Sequence, residues 1–396
     1  MKPIIIIGSG MAGISVAREY RKLDSDTPIM IVTNDDGGFY AKPNLSNAFA
    51  QQKLAAQLKS QSASQLAEQL KLNVLQHTKL IAIDSERQSI TTSIGSFEYH
   101  RLVLALGAEA IKLPIAGNAQ DQILSINHLD DYAKFREQLG AVVDKNGKAR
   151  IAILGAGLIG CEFADDLIGA GFEVHLIDPS PLPLAALLPE PISTQLQIAL
   201  ESQGVHMHLG TTAAHIDSIN NRFQLQLQNG ETIESDIVLS AIGLRPQTQI
   251  ARQCAPQAIA VDRGIVVNRF GETSVKNIFA LGDCAQYLLN HDGTSAVLPY
   301  IAPILTAARA IAKTLLGDPS EIEIQASPVI VKTPSCPIAL IAPSVAERNS
   351  GNWSYELSPE QIHISRFHNS AGKLRGFAIT PQDAKLRTAL TKEIST

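Results

Sequence analysis

The hydrophobic pattern of this chain occurs twice. An apolar run at 4–7 is followed by glycines and then by apolar residues at three- and four-residue spacing up to position 17. The same order returns at 151–164 without a gap. A short apolar run indicates a buried strand, and spacing of three to four indicates a helix with one buried face. Each copy therefore predicts a strand, a tight turn and a helix.

The two copies also continue alike. Strand-like runs close them at 102–108 and 237–246, and each copy contains an insertion with alternating apolar and polar positions. In the second insertion Asn229-Gly230 predicts a hairpin turn. A repeat of this length indicates a duplicated domain rather than a solenoid. The fold class predicted is α/β, with two doubly wound dinucleotide-binding (Rossmann-like) domains.

The remaining pattern predicts a third, smaller domain. A short apolar strand ends in Gly282-Asp283, and a helix is expected from about Ala302 to Leu316. From about position 326 the strand-like runs PVIVKT, CPIALIA, IHISRF and LRGFAIT predict a small C-terminal α+β domain. The predicted boundaries are 1–112 with 245–325 for a discontinuous first domain, 113–244 for the second and 326–396 for the C-terminal interface domain.

Composition and net charge argue against some classes of function. Of the 396 residues 45% are hydrophobic and 18% charged, and the net charge of −5 argues against a general nucleic-acid binder. There is no apolar run of 18 residues and no CxxC pair among the four cysteines, so reduced thiols and a cytoplasmic location are expected.

His206 and His208 alternate on a strand-like segment, which is too weak a signal to predict a metal site. A monomer is favoured.

The glycines Gly8, Gly10 and Gly13 form a GxGxxG fingerprint between a strand and a helix. The first glycine makes the turn, the second lets the backbone approach a diphosphate, and the third lets the helix pack closely on the strand. The diphosphate then lies at the helix N-terminus. Two such fingerprints in one chain predict two dinucleotide sites.

The second fingerprint, formed by Gly155, Gly157 and Gly160, also predicts the type of nucleotide. The next strand ends at Asp178, where a carboxylate accepts hydrogen bonds from an adenosine ribose. No Lys or Arg follows nearby to hold a 2′-phosphate, so NADH is favoured over NADPH.

The first copy departs from this rule, because its second strand carries Thr33 and Asn34 where the acid is expected. Asn34 could hold the adenosine ribose, or the side chain of Asp35 could reach back to it. Farther along, Asp283 follows a strand-terminal glycine and is our candidate for binding a polyol hydroxyl. A helix beginning near Tyr300 could direct its N-terminal dipole at an electron-rich ring.

The chain resembles the pyridine nucleotide–disulfide oxidoreductase superfamily in its two fingerprints, in AIGLRP at 241–246 and in LGDCA at 281–285. KPNLS at 42–46, GLIGCEFA at 157–164 and VKTPSCP at 331–337 resemble its branch of FAD-dependent NADH:rubredoxin reductases. Residues 39–49, where related reductases keep a reactive cysteine or a cysteine pair, contain no cysteine.

The resemblance implies FAD in the first domain, NADH in the second and a third domain that helps to cover the flavin. It further implies that Lys42 and Glu162 form a catalytic pair beside the flavin ring. The implied FAD contacts are Gly8, Ser9, Gly10, Met11, Ala12, Gly13, Thr33, Asn34, Lys42, Leu80, Glu162, Asp283, Ile301 and Lys332. The implied NADH contacts are Gly155, Gly157, Leu158, Ile159, Gly160, Asp178 and Gly243.

Without a cysteine at 39–49 the electrons cannot pass through a dithiol there. A flavin takes hydride from NADH and can release electrons singly, so a separate one-electron acceptor is expected. The resemblance names rubredoxin, and in alkane-using bacteria the route continues to an alkane hydroxylase. Alternatives are a flavorubredoxin or a [2Fe–2S] ferredoxin as acceptor, or a redox-sensing flavoprotein. Basic residues such as Lys373 and Arg375 could form a docking patch for an acidic partner.

Overall fold

The computed structural model describes residues 1–289, 294–344 and 346–395. The strands, numbered in chain order, are β1 (Ile4–Ile7), β2 (Ile29–Val32), β3 (Phe39–Tyr40), β4 (Lys59–Gln61), β5 (Asn73–Leu75), β6 (Leu80–Asp84), β7 (Ser89–Thr92), β8 (Gly95–Glu98), β9 (Arg101–Leu104), β10 (Ala108–Ala110), β11 (Arg150–Leu154), β12 (Glu173–Asp178), β13 (His206–Leu209), β14 (Ala213–Ile219), β15 (Arg222–Leu227), β16 (Thr232–Ser235), β17 (Ile237–Ser240), β18 (Leu244–Pro246), β19 (Ile265–Val266), β20 (Ile278–Ala280), β21 (Ala285–Leu288), β22 (Ser295–Val297), β23 (Val329–Val331), β24 (Ile338–Ile341), β25 (Gly351–Leu357), β26 (His363–Asn369) and β27 (Leu374–Thr380).

The helices are α1 (Met11–Leu23), α2 (Ala55–Leu58), α3 (Ala63–Leu70), α4 (Leu129–Asn146), α5 (Leu158–Gly169), α6 (Glu190–Ser202), α7 (Gln249–Arg252), α8 (Ile301–Leu315) and α9 (Ala384–Ser395). Short 3₁₀ turns cover Lys42–Asn47, Gln120–Gln122 and Gly282–Cys284. Among the helices in the described part of the chain, none has both the length and the apolar character needed to cross a bilayer.

The chain divides into two compact units. The first unit comprises residues 1–41, 59–109 and 244–325, and the second comprises residues 42–58, 110–243 and 326–396. The three-domain boundaries given above, with FAD in one domain and NADH in another, stay a prediction.

The first unit contains a five-stranded sheet in the order β20-β9-β1-β2-β5. All four neighbouring pairs are parallel. Strand β1 lies in the middle of this sheet and is buried along its whole length, which explains why it reads as four consecutive isoleucines. Helices α1 and α8 supply apolar residues to the same core, so the sheet is the centre of a doubly wound unit. The antiparallel insertion predicted near 79–99 is the sheet β6-β7-β8.

The second unit repeats this plan on a smaller scale. Its parallel sheet has the order β13-β12-β11-β17, and β11 pairs on one side with β12 and on the other with β17. The antiparallel insertion is β14-β15-β16, and Gly230 turns between the last two strands with φ of +91°. The hairpin predicted from Asn229-Gly230 is therefore present.

The C-terminal residues of the second unit form a five-stranded antiparallel sheet, β23-β24-β27-β26-β25, with α9 packed against it. Strand β25, which was not predicted, is an edge strand with most of its residues exposed. The fold class predicted from the sequence is confirmed: two parallel sheets of dinucleotide-binding type, each with an antiparallel insertion, and a small α+β part.

Candidate functional site

The first fingerprint has the geometry of a diphosphate-binding turn. Gly8 has φ of +108°, and a Cβ there would lie 2.3 Å from the carbonyl oxygen of Ala105. A Cβ on Gly13 would lie 2.0 Å from the carbonyl oxygen of Gly8. A Cβ on Gly10 would meet no described atom within 4 Å. The outer glycines are thus required by packing, whereas the middle one faces open space.

The second fingerprint behaves in the same way. A Cβ on Gly155 would lie 2.7 Å from the carbonyl oxygen of Ala241, and one on Gly160 would lie 1.8 Å from the carbonyl oxygen of Gly155. A Cβ on Gly157 would again meet nothing within 4 Å. Helix α5 starts at the next residues, Leu158 and Ile159. Both open spaces therefore lie at the beginning of a long helix.

Several predicted FAD residues of the first unit share one edge of its parallel sheet. Gly8 follows β1, Thr33 follows β2 and Asp283 lies three residues after β20. The carboxyl ends of parallel strands are where this type of fold binds its ligand. Leu80 begins β6 and Ile301 begins α8.

The acidic residue after β2 contacts its own fingerprint turn. Asn34 is exposed, whereas one carboxylate oxygen of Asp35 accepts hydrogen bonds from the Ser9 hydroxyl at 3.0 Å and the Thr33 hydroxyl at 2.6 Å. The same oxygen accepts the backbone N–H of Gly37 at 2.9 Å. Asp35 therefore holds the fingerprint turn in place, and a contact of Asn34 or Asp35 with the ribose stays a prediction.

In the second unit, Asp178 ends β12 and holds the fingerprint loop. Its Oδ2 accepts the backbone N–H of Ala156 and its Oδ1 accepts that of Ser180, both at 2.7 Å. Gly243 follows β17 with φ of +116°, a conformation that favours glycine. The ribose-binding role of Asp178 stays a prediction.

Glu162 is the most deeply buried of the predicted site residues with a charged side chain. It lies on α5, and its side chain is 1% exposed. Its Oε1 accepts the backbone N–H of Lys332 at 3.0 Å, and its Oε2 accepts the hydroxyl of Ser46. The Nζ of Lys332 lies 3.6 Å from Oε2 and also donates to the carbonyl of Pro43. The second unit thus brings two predicted residues, Glu162 and Lys332, into an ion pair.

Lys42 lies in the 3₁₀ turn of the same unit. Its Nζ donates to the side-chain oxygen of Asn127 at 3.2 Å. The pairing of Lys42 with Glu162 stays a prediction. Ser46 and Asn127 did not emerge from the sequence, because a lone Ser or Asn in a loop carries no signal of its partner.

Two further carboxylates of α5 join the same cluster. The side chain of Asp165 accepts the backbone N–H of Ser335 at 3.2 Å. The two oxygens of Asp166 accept the backbone N–H groups of Phe49 and Ala50, at 2.8 and 2.9 Å. Burial raises the pKa of Asp166, and these two N–H groups oppose the shift. The sequence did contain a signal: positions 162, 165 and 166 share one helix face in an otherwise apolar segment.

The four cysteines are all buried and unpaired with one another. Burial raises the pKa of the Cys161 thiol and raises that of Cys284 to about 12. Burial also raises the pKa of Cys254 and of Cys336. Because the thiolate is the reactive form, these buried thiols are packing residues.

Two fingerprint turns, each on its own parallel sheet, are the geometry of two dinucleotide-binding units. The chain belongs to the pyridine nucleotide-disulphide oxidoreductase family, whose model matches residues 2–308. A second model, described as a rubredoxin binding C-terminal domain, matches residues 321–394.

Curated relatives match along the whole chain. A rubredoxin-NAD(+) reductase of Alcanivorax borkumensis is 39% identical over 395 residues, covering 100% of this chain and 99% of that protein. A nitric oxide reductase FlRd-NAD(+) reductase of Aeromonas hydrophila is 38% identical over 379 residues, covering 96% of this chain and 92% of that protein.

Solved structures agree on the fold. A ferredoxin reductase from Rhodopseudomonas palustris matches with a TM-score of 0.88 at 23% identity, covering 100% of this chain and 96% of that one. The family membership makes FAD the cofactor of this chain and NADH its electron donor.

The residues present fit these dinucleotides. Gly10 and Gly157 leave space where a diphosphate would approach, and no side chain in the described residues caps the first turn of α1 or α5. The first N–H groups of each helix can therefore bind an anion.

Substitution by alanine should affect stability at an outer fingerprint glycine and NADH binding at the middle one. Gly160→Ala places a Cβ against the Gly155 carbonyl, so we expect the free energy of unfolding to fall by about 1–3 kcal/mol. Gly157→Ala should fold normally and raise the KM for NADH. Thermal unfolding and NADH kinetics check both, and a Gly157→Ala enzyme with an unchanged KM would contradict the assignment.

Asp166→Asn should destabilise the protein, because one backbone N–H then faces an NH₂ group. We expect a loss of about 1–3 kcal/mol at neutral pH in chemical denaturation. Exposed Asp144→Asn in α4 is the matched control and should change the free energy of unfolding little.

The difference in the free energy of unfolding between wild type and Asp166→Asn should depend on pH, because the fold shifts the pKa of Asp166. Because the pKa of Asp166 is raised in the fold, its contribution to stability is complete below the unfolded pKa and is lost as the pH rises through the folded pKa. The gap between wild type and Asp166→Asn should therefore widen as the pH falls toward about 4. A gap that narrows on acidification would mean that the fold lowers this pKa.

Proposed function

We propose that this chain is an FAD-dependent NADH:rubredoxin reductase. The observation that carries the proposal is the combination of a nucleotide-reductase match over 2–308, a rubredoxin-binding match over 321–394 and no cysteine at 39–49. When bound, FAD takes hydride from NADH and can release electrons one at a time. The chain's own thiols are buried and offer no alternative route.

In this proposal the Glu162–Lys332 pair of the second unit faces the flavin. The buried carboxylate is held by a backbone N–H, a hydroxyl and an ammonium group, so its position is fixed. A fixed charge of this kind orients a ring without reorganisation during the reaction. Lys42, anchored through Asn127, is proposed to act with Glu162 where nicotinamide enters. Asp178 is proposed to bind the NADH ribose and to disfavour a 2′-phosphate.

The charge balance of the C-terminal part favours an acidic acceptor. Residues 326–396 contain eight basic and five acidic residues, whereas the whole chain has a net charge of −5. The edge strand β25 carries exposed Tyr355 and Leu357, which add apolar contact area. Electrostatic attraction chiefly raises the association rate and weakens with salt.

A second candidate acceptor is a flavorubredoxin. The relative from Aeromonas hydrophila, a nitric oxide reductase FlRd-NAD(+) reductase, is almost as similar to this chain as the rubredoxin-NAD(+) reductase. Onward transfer to an alkane hydroxylase, a cytoplasmic location and a monomeric state stay predictions.

Anaerobic stopped-flow mixing tests the function. The flavin absorbance of the FAD-loaded protein should bleach rapidly with NADH, and at least about tenfold more slowly with the same concentration of NADPH. The reduced protein should then reduce added rubredoxin rapidly, at a rate that falls as the salt concentration rises. Slow rubredoxin reduction beside fast reduction of a flavorubredoxin or a [2Fe–2S] ferredoxin would reassign the acceptor. A long-lived charge-transfer complex that reduces no carrier would indicate a sensor.

Lys42→Ala tests the proposed pair. We expect unchanged FAD content and a rate of flavin reduction by NADH that falls at least about tenfold, because one positive charge is removed beside the ring. Lys53→Ala, an exposed lysine on the same segment, is the control and should keep the rate. If both variants reduce at the wild-type rate, Lys42 has no role in hydride transfer.

A further inference from the structure

Four titratable side chains gather on the edge of the parallel sheet in the second unit. Strand β13 is the edge strand, and its register places His206 beside His175 of β12. Alternation along β12 puts Glu173 on the same face as His175, and alternation along β13 puts His208 on the same face as His206. Neither the fingerprint nor the proposed reductase chemistry uses any of them.

Glu173, His175 and His208 form a continuous chain of contacts that ends at Glu231. The Nε2 of His175 lies 3.3 Å from Oε1 of Glu173, and its Nδ1 lies 3.1 Å from Nε2 of His208. The Nδ1 of His208 lies 2.9 Å from Oε2 of Glu231. Each contact joins two atoms that need one hydrogen or one cation between them.

A metal ion between Glu173 and Nε2 of His175 is compatible with the other two contacts. Each of those contacts can then hold one imidazole N–H group. His175 then donates from Nδ1 to His208, and His208 donates from Nδ1 to Glu231. A ligating histidine that donates its other N–H in this way is the usual arrangement around protein-bound metals.

His206 supplies the third ligand. Its ring is stacked on that of His175, with centroids 4.8 Å apart, and the candidate ligand atoms of Glu173, His175 and His206 all lie within 4.8 Å of one another. Tetrahedral zinc at about 2.0–2.1 Å from each ligand needs separations of about 3.4 Å. His206 is exposed and can turn to close this difference.

We propose that Glu173, His175 and His206 bind a Zn²⁺ ion, with His208 and Glu231 orienting His175. Two histidines and one carboxylate are a known zinc donor set, with water completing the coordination. The H-x-H pair alone did not predict this site, because its partners on β12 lie some 30 residues earlier.

The position of the site suggests what the metal does. Glu173 and His175 occupy the beginning of β12, whereas Asp178 of the nucleotide fingerprint ends it. The ion would therefore fasten the edge strand β13 to β12, away from the end of β12 that adjoins the fingerprint. Zn²⁺ should stabilise the second unit and leave hydride transfer unchanged.

Titration of the FAD-loaded, tag-free protein with ZnCl₂ by calorimetry tests the proposal. Wild type should bind one equivalent and show a higher Tm with Zn²⁺. His206→Ala removes an exposed side chain and should weaken binding by at least about 10-fold, and His208→Ala by about 10- to 100-fold. His215→Ala, a histidine of the same unit that contacts Asp217 at 3.0 Å, should bind as wild type does.

Each outcome decides between the site and ordinary surface histidines. Stoichiometric binding that is lost in His206→Ala and kept in His215→Ala establishes the site. Weak, unsaturable binding in all variants, or equal binding by wild type and His206→Ala, overturns it. The Tm of each metal-free variant confirms that the protein is folded, so a failure of the reductase proposal would not affect this result.

Discussion

The buried carboxylates of helix α5 are the constraint on which much of the second unit depends. Glu162, Asp165 and Asp166 are removed from water, and an uncompensated buried charge would cost several kcal/mol. The compensation comes from backbone N–H groups at Phe49, Ala50, Lys332 and Ser335, which belong to two segments far from α5 in sequence. The carboxylates therefore fix the paths of the 42–58 segment and of the loop after β23. The helix that begins at the nucleotide fingerprint also organises the residues proposed to face the flavin.

The fingerprints could be predicted from the sequence because their physics is local. Gly8 and Gly13 are needed by contacts within one strand, one turn and one helix, and the same holds for Gly155 and Gly160. The antiparallel insertions were predictable for the same reason, since a turn such as Asn229-Gly230 limits its own conformation.

The electrostatic partners could not be predicted in this way. Glu162 meets Lys332 across 170 positions and Ser46 across 116, and only the folded chain brings them together. The sequence singled out Glu162 and Lys332 separately, through resemblance to a family. It gave no reason to connect Glu162 with Lys332, or Asp166 with the backbone at Phe49. The zinc ligands proposed here are hidden for the same reason, because β12 and β13 meet only through sheet register.

The acids that follow the two fingerprints differ in how they contact their own loops. One oxygen of Asp35 already accepts three donors from its own turn, so it serves the shape of a cofactor-binding loop. Each oxygen of Asp178 accepts only one backbone N–H, and a carboxylate has about four acceptor sites in all. Asp178 can therefore keep its loop contacts while it binds a ribose, which is the role proposed for it.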